Sequence, residues 1–109
     1  MALQKDFVTT SGVTCNYHRI ISVRLDQDEK MAYGVIGVYY DATARANGSD
    51  PVEVIERMFG HEDAVDGATV NNWDSYFDAA SLDVVNKNPI ETFYERLKTL
   101  DEYTGAVDV

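Results

Sequence analysis

Residues 14–26, TCNYHRIISVRLD, alternate in character along their length. Cys15, Tyr17, Arg19, Ile21, Val23 and Leu25 fall on one face of an extended strand, and Asn16, His18, Ile20, Ser22, Arg24 and Asp26 on the other. A mostly apolar face backed by a mostly polar one, with a period of two, is the pattern of a half-buried antiparallel strand. The pattern predicts the Cys15 face against the core and the His18 face away from it. The short charged stretch DQDEK, residues 26–30, reads as a hairpin loop, and MAYGVIGVYY, residues 31–40, as the returning strand, rich in β-branched and aromatic residues. Gly34 and Gly37 interrupt it and mark a bulge or close packing.

The remaining chain is patterned less evenly. LQKDFV near the start is weakly strand-like, with Leu3 and Phe7 as core candidates, and the turn signal TTSG gives Gly12 a positive φ. ATARA, residues 42–46, fits one turn of helix inside a connection closed by Asn47-Gly48 and Asp50-Pro51. VEVIERMF, residues 52–59, has no clean face, but it is short and bounded by Pro51 and Gly60, which favours a strand. Residues 60–72 read as a polar, acidic loop, and WDSYFD, residues 73–78, as a short strand leading into a helical turn over 79–83. The last element carries the strongest signals. Asn88 is placed as an N-cap, Pro89 at the first helical position and Glu91 to close a capping box. Ile90, Phe93, Tyr94, Leu97 and Leu100 then recur at helical spacing, predicting a helix over about 89–101 with its apolar stripe on the sheet. EYTGAVDV follows as a loose tail. These elements predict an α+β fold in one domain, residues 1–109. It is a small antiparallel β-sheet, made of a long hairpin over about 13–40 and one or two further strands, covered by the C-terminal α-helix.

Charge narrows the partners. Nine basic residues stand against nineteen acidic, a net charge of −10. Residues 1–59 hold six basic and eight acidic groups, and residues 60–109 hold three and eleven. Such a chain is repelled by nucleic acid and by anionic membrane surfaces, so neither is expected as a partner. The acidic half is either solvated surface or a face for a basic protein. A single cysteine excludes an internal disulfide. No apolar run reaches the ~20 residues of a membrane span, and MALQKDFVTT lacks the apolar core of a secretory leader. The expected location is a cytoplasm, or a particle assembled in one.

Candidate chemistry is sparse. Cys15 and His18 form a C-x-x-H stretch, which invites a thiol nucleophile with its base or half a metal site. Strand side chains alternate, so residues three apart point to opposite faces and do not meet. Cys15, His18 and His61 are the only cysteine and histidine ligands, and no second ligand pair accompanies them. The acidic stretches DQDEK and HEDAVDG lack the spaced ligands and glycine of a calcium loop. There is no nucleophile elbow and no glycine-rich phosphate loop. The chain is therefore read as no enzyme, with no catalytic, cofactor-binding or metal-binding residues. Arg19, on an otherwise apolar face, reads as a snorkelling side chain near a sheet edge.

Tyrosine is abundant for a small core. Tyr33, Tyr39, Tyr40, Tyr76, Tyr94 and Tyr103 stand out, and Tyr39 and Tyr40 are adjacent, so one of them leaves the core. Tyrosine is favoured at protein–protein contacts. Two blocks, YHRIISVRLDQDEKMAYGVIGVYYD (17–41) and FDAASLDVVNKNPIETFYERLKTLDEYTGAVDV (77–109), together resemble small structural and tail-associated proteins of tailed bacteriophages and prophages. The resemblance implies a virion component, in the tail or its tip (baseplate) rather than the head, made in the host cytoplasm. Its partners would be other virion structural proteins in a symmetric oligomeric assembly. It implies no functional residues. A capsid decoration protein, or a tail-assembly chaperone that leaves before maturation, is the alternative. Either terminus could add to a neighbour's sheet edge or groove.

Overall fold

In the computed structural model, residues 2–60, 63–65, 68–70, 72–78, 82 and 88–109 are described. Five strands form one antiparallel sheet in the order β4-β3-β2-β1-β7. They are β1 (Leu3–Val8), β2 (Thr14–Asp26), β3 (Met31–Tyr39), β4 (Glu53–Gly60) and β7 (Val107–Asp108). A short helix, α1 (Ala42–Ala46), links β3 to β4, and a second helix, α2 (Pro89–Leu97), packs on one face of the sheet. This is the expected α+β architecture, a sheet built on a long hairpin and covered by a C-terminal helix.

The two long strands pair as the alternation predicts, but with an interruption that changes what faces the core. Ile20 pairs with Ile36 and Ser22 with Val35, leaving Ile21 as an extra residue on β2. One inserted residue exchanges the two faces of everything beyond it. Before the bulge the helix-covered side carries His18 and Ile20, both buried. After it, Val23 and Leu25 pack against the core. The expectation that His18 points away from the core is therefore wrong, and the expectation for Val23 and Leu25 is right. Strict alternation fails because Ile21 is spent on the bulge.

Aromatic rings fill the space beneath α2. Phe59, Phe77 and Phe93 form a triangle with centroids 5.0–6.1 Å apart. Phe93 sits where Gly34 leaves room, since a Cβ there would lie 2.4 Å from its ring. Close packing, rather than a bulge, explains that glycine. Leu3, Ile20, Ile36, Trp73, Leu97 and Tyr103 are buried with them in the same core. Each large apolar side chain so buried contributes about 1.5–3 kcal/mol.

The helix starts as predicted. The Asn88 side chain accepts from the Glu91 N–H at 2.8 Å, and Pro89 follows it. Glu91 returns a contact to the Asn88 side-chain amide at 3.1 Å, not to its backbone. The regular helix stops at Leu97, short of the expected end. Thr99 and Leu100 bond to carbonyls three residues back, Leu100 is extended, and a 3₁₀ turn at Asp101–Tyr103 delivers Tyr103 to the core.

Three more expectations change. Residues 60–72 are not all loop, since β5 (Asp63–Val65) and β6 (Ala68–Val70) form a two-stranded hairpin. Trp73–Phe77 is a π-helical turn instead of a strand. Its closing bond runs from Asp78 N–H to Trp73 C=O, and the turn buries Trp73 and Phe77 together. The helical turn expected over 79–83 lies almost wholly outside the described residues. The C-terminal tail is not loose. Val107 and Asp108 pair with Gln4 and Leu3, and Lys98 Nζ meets the Asp108 carboxylate at 3.1 Å. Each terminus is thus the other's sheet partner, with β7 at the edge of the sheet.

Candidate functional site

The C-x-x-H stretch is resolved first by its histidine. His18 is 1% exposed, and both ring nitrogens have partners. Nε2 lies 2.8 Å from the Lys5 carbonyl, which only accepts, so Nε2 carries the proton. Nδ1 is then the acceptor, and the Tyr103 hydroxyl donates to it at 3.0 Å. The irregular register of β1 between Gln4 and Phe7 surrounds that Lys5 carbonyl. Burial holds the His18 pKa below its ordinary value, opposed in part by the Lys5 bond and the Glu102 charge. Burial also pushes the Tyr103 hydroxyl well above the usual range. An imidazole with both nitrogens engaged has no lone pair for a metal or a substrate proton. Cys15 is buried too, and burial followed by the Glu53 charge raises its pKa, disfavouring the reactive thiolate. His61 lies outside the described residues.

Among the described residues, no group of three or more His, Cys, Asp or Glu side chains is placed to hold a metal ion. No helix among them is long and apolar enough to cross a membrane. A shallow cleft of about 210 Å³ opens beside α1, lined in part by Gln4, Asn16, Tyr17, Asp41 and Thr43. It is smaller than a typical small-molecule site, and its Asp41 carboxylate is occupied as the N-cap of α1, accepting from Ala44 N–H at 2.7 Å.

The surface that stands out is the sheet face opposite α2. The register across β2, β3 and β4 sets its rows: Arg24–Tyr33–Met58, then Ser22–Val35–Glu56, then Arg19–Gly37–Val54. Residues directly opposite share a face. Ile21, displaced by the bulge, lies over Gly37, with its Cδ1 3.0 Å from where a Cβ would stand. Ile21 is 48% exposed, and Val54 and Met58 are each 54% exposed. The Arg24 guanidinium rests 4.2 Å above the Tyr33 ring, whose hydroxyl donates to Glu29. At the far end Tyr39 is buried against Tyr17 at 6.1 Å and beneath the Arg45 guanidinium of α1 at 5.7 Å. The patch therefore lies between α1 and the loop at 27–30, with apolar groups at its middle and charges along its sides.

The tyrosines divide differently from the sequence expectation. Tyr94 and Tyr103 belong to the core, where their hydroxyls bond to Ile20 N–H and to His18. Tyr39 is buried and Tyr40 is 58% exposed, so the adjacent pair does split. Tyr33 contributes to the open face. Val54, Met58 and Ile21 were not recognisable as a surface from the sequence. The mixed faces of residues 52–59 were the one available signal.

Comparison with known proteins gives no match: no family model fits the chain, and no curated protein or solved structure is similar to it.

Proposed function

We propose that this protein is a non-enzymatic structural component of a tailed bacteriophage particle, a tail or tail-tip accessory or adaptor that works through protein–protein contacts. The observation that supports the contact role is the open sheet face. Val54 and Met58 on β4 and Ile21 on β2 expose apolar surface on either side of β3, and such a patch on a small domain is the ordinary mark of a docking surface. The acidic surplus supports a protein partner over nucleic acid. Placement in the particle, and in the tail before the head, rests on the likeness of residues 17–41 and 77–109 to phage structural proteins.

The test is quantitative mass spectrometry of purified particles from the source, counting this chain against the major coat protein. A few copies per particle support a tail-tip or connector position. Copy numbers near those of the coat or tube subunits favour decoration or tube association. Absence from the finished particle removes the structural reading and leaves a transient assembly chaperone.

A further inference from the structure

We infer that the open face of the sheet docks on the same face of a second copy of this chain, forming a two-fold face-to-face dimer. The inference deepens the docking role proposed above, but it stands on its own observations and does not need the phage placement.

Charge distribution selects the occupant. On this face β2 carries Arg19 and Arg24, and β4, two strands away, carries Glu56. Between them β3 carries Tyr33, Val35 and Gly37. A two-fold axis parallel to β3 lays β4 of one copy over β2 of the other and keeps each row at its own level. Glu56 then faces Ser22 of the second copy. Arg19 and Arg24 of that copy stand one row to either side, about 7 Å along the strand. An arginine side chain spans that distance, so each Glu56 is bracketed by two guanidinium groups, twice per dimer. Among the described residues neither Arg19 nor the Glu56 carboxylate makes an ion pair within its own chain, whereas Arg24 leans weakly on Asp26 at 3.6 Å. Val35 meets its own copy near the axis, and Ile21, Val54 and Met58 close around it at the usual ~10 Å separation of packed sheets.

The rest of the protein explains why this face and not another. The chain carries −10, so most surfaces of two copies repel. The open face sets Arg19 and Arg24 against Glu56, Asp26 and the Glu29 that accepts from Tyr33, so it is far less acidic than the chain as a whole. Glu91, Asp101 and Glu102 belong to elements on the other side of the sheet, around α2. Face-to-face docking places those acidic layers outermost, separated by two sheets and further apart than the ~8 Å screening length at physiological salt. The patch measures about 14 by 25 Å from strand spacing and rise. That is roughly 350 Å² per copy, below the roughly 800 Å² per partner of a standard interface, so association is expected to be weak, at tens to hundreds of micromolar.

The experiment is sedimentation velocity on the full 109-residue chain across the micromolar range. A concentration-dependent dimer is expected. The double variant Val54→Glu/Met58→Glu should sediment as a monomer with its thermal midpoint kept, since both side chains are exposed. Glu56→Arg should weaken the dimer at least ~10-fold, and adding Arg19→Glu and Arg24→Glu to it should restore most of that loss. A chain that stays monomeric throughout the range overturns the inference. So does a dimer indifferent to Val54→Glu/Met58→Glu. Particle counting is unaffected by either result, so the two proposals fail separately.

Discussion

The Tyr103 hydroxyl donates to Nδ1 of His18, 85 residues away in the chain, while Nε2 of the same ring donates to the Lys5 carbonyl. One neutral imidazole thus ties β1, β2 and the C-terminal 3₁₀ turn together inside the core. This has a pH consequence with a definite sign. The unfolded chain takes up a proton on His18 near pH 6.5, but the folded chain resists until lower pH because burial depresses the pKa. His18 therefore contributes its full share of stability above about pH 6.5, and that share is lost as pH falls through the folded pKa. Thermal melts from neutral pH downward should show the decline, and a His18→Gln variant should flatten the part of it nearest pH 6.5. An NMR titration placing the folded imidazole at or above its ordinary value would contradict the account.

Tyr103→Phe keeps the ring in the core but leaves Nδ1 of His18 without its donor. An unpaired buried polar atom costs about 1–3 kcal/mol, so chemical denaturation should report a loss in that range. A loss under half a kilocalorie would mean that water replaces the hydroxyl and that the site is wetter than its burial implies.

Tyr94 does a related task at a sheet edge. β1 pairs with β2 only as far as His18, and the next donor on that side, the buried Ile20 N–H, is met by the Tyr94 hydroxyl at 2.7 Å. The helix thus supplies a hydrogen bond that a neighbouring strand would otherwise make. Tyr94→Phe should cost about 1–3 kcal/mol. It should also speed hydrogen exchange at Ile20 and leave exchange in β4 unchanged. Equal acceleration across the sheet would point to global destabilisation and away from an edge cap.

The sequence carried the paired strands, the helix N-terminus and the glycine turns because each rests on local chemistry. Asn88 followed by Pro89 is legible without any tertiary information, as is the positive φ at Gly12. The faces of β2 were not legible, because the bulge at Ile21 is fixed by pairing with Ile36 and Val35. Nor was the role of the final residues, since Val107 and Asp108 find β1 across nearly the whole chain. The open face was hidden for the same reason. Val54 and Met58 look like core residues in a strand whose two sides are both partly apolar, and only the position of α2 decides which side is covered.

Thr92 presents the opposite case, a buried group with nothing to bond. It is 2% exposed on the inner side of α2, and its hydroxyl has no partner among the described residues. Valine has nearly the same volume and a similar helix propensity. Thr92→Val should therefore raise stability by about 1 kcal/mol by removing an unsatisfied hydroxyl. An upward shift of the urea midpoint at constant m-value is the expected observation, and a downward shift would show that the hydroxyl is satisfied after all.

Gly34 and Gly37 are three positions apart, opposite Arg57 and Val54 on β4, and therefore on opposite faces of the sheet. A Cβ added at Gly34 lies 2.4 Å from the Phe93 ring, which is held by Phe59 and Phe77 and has nowhere to go.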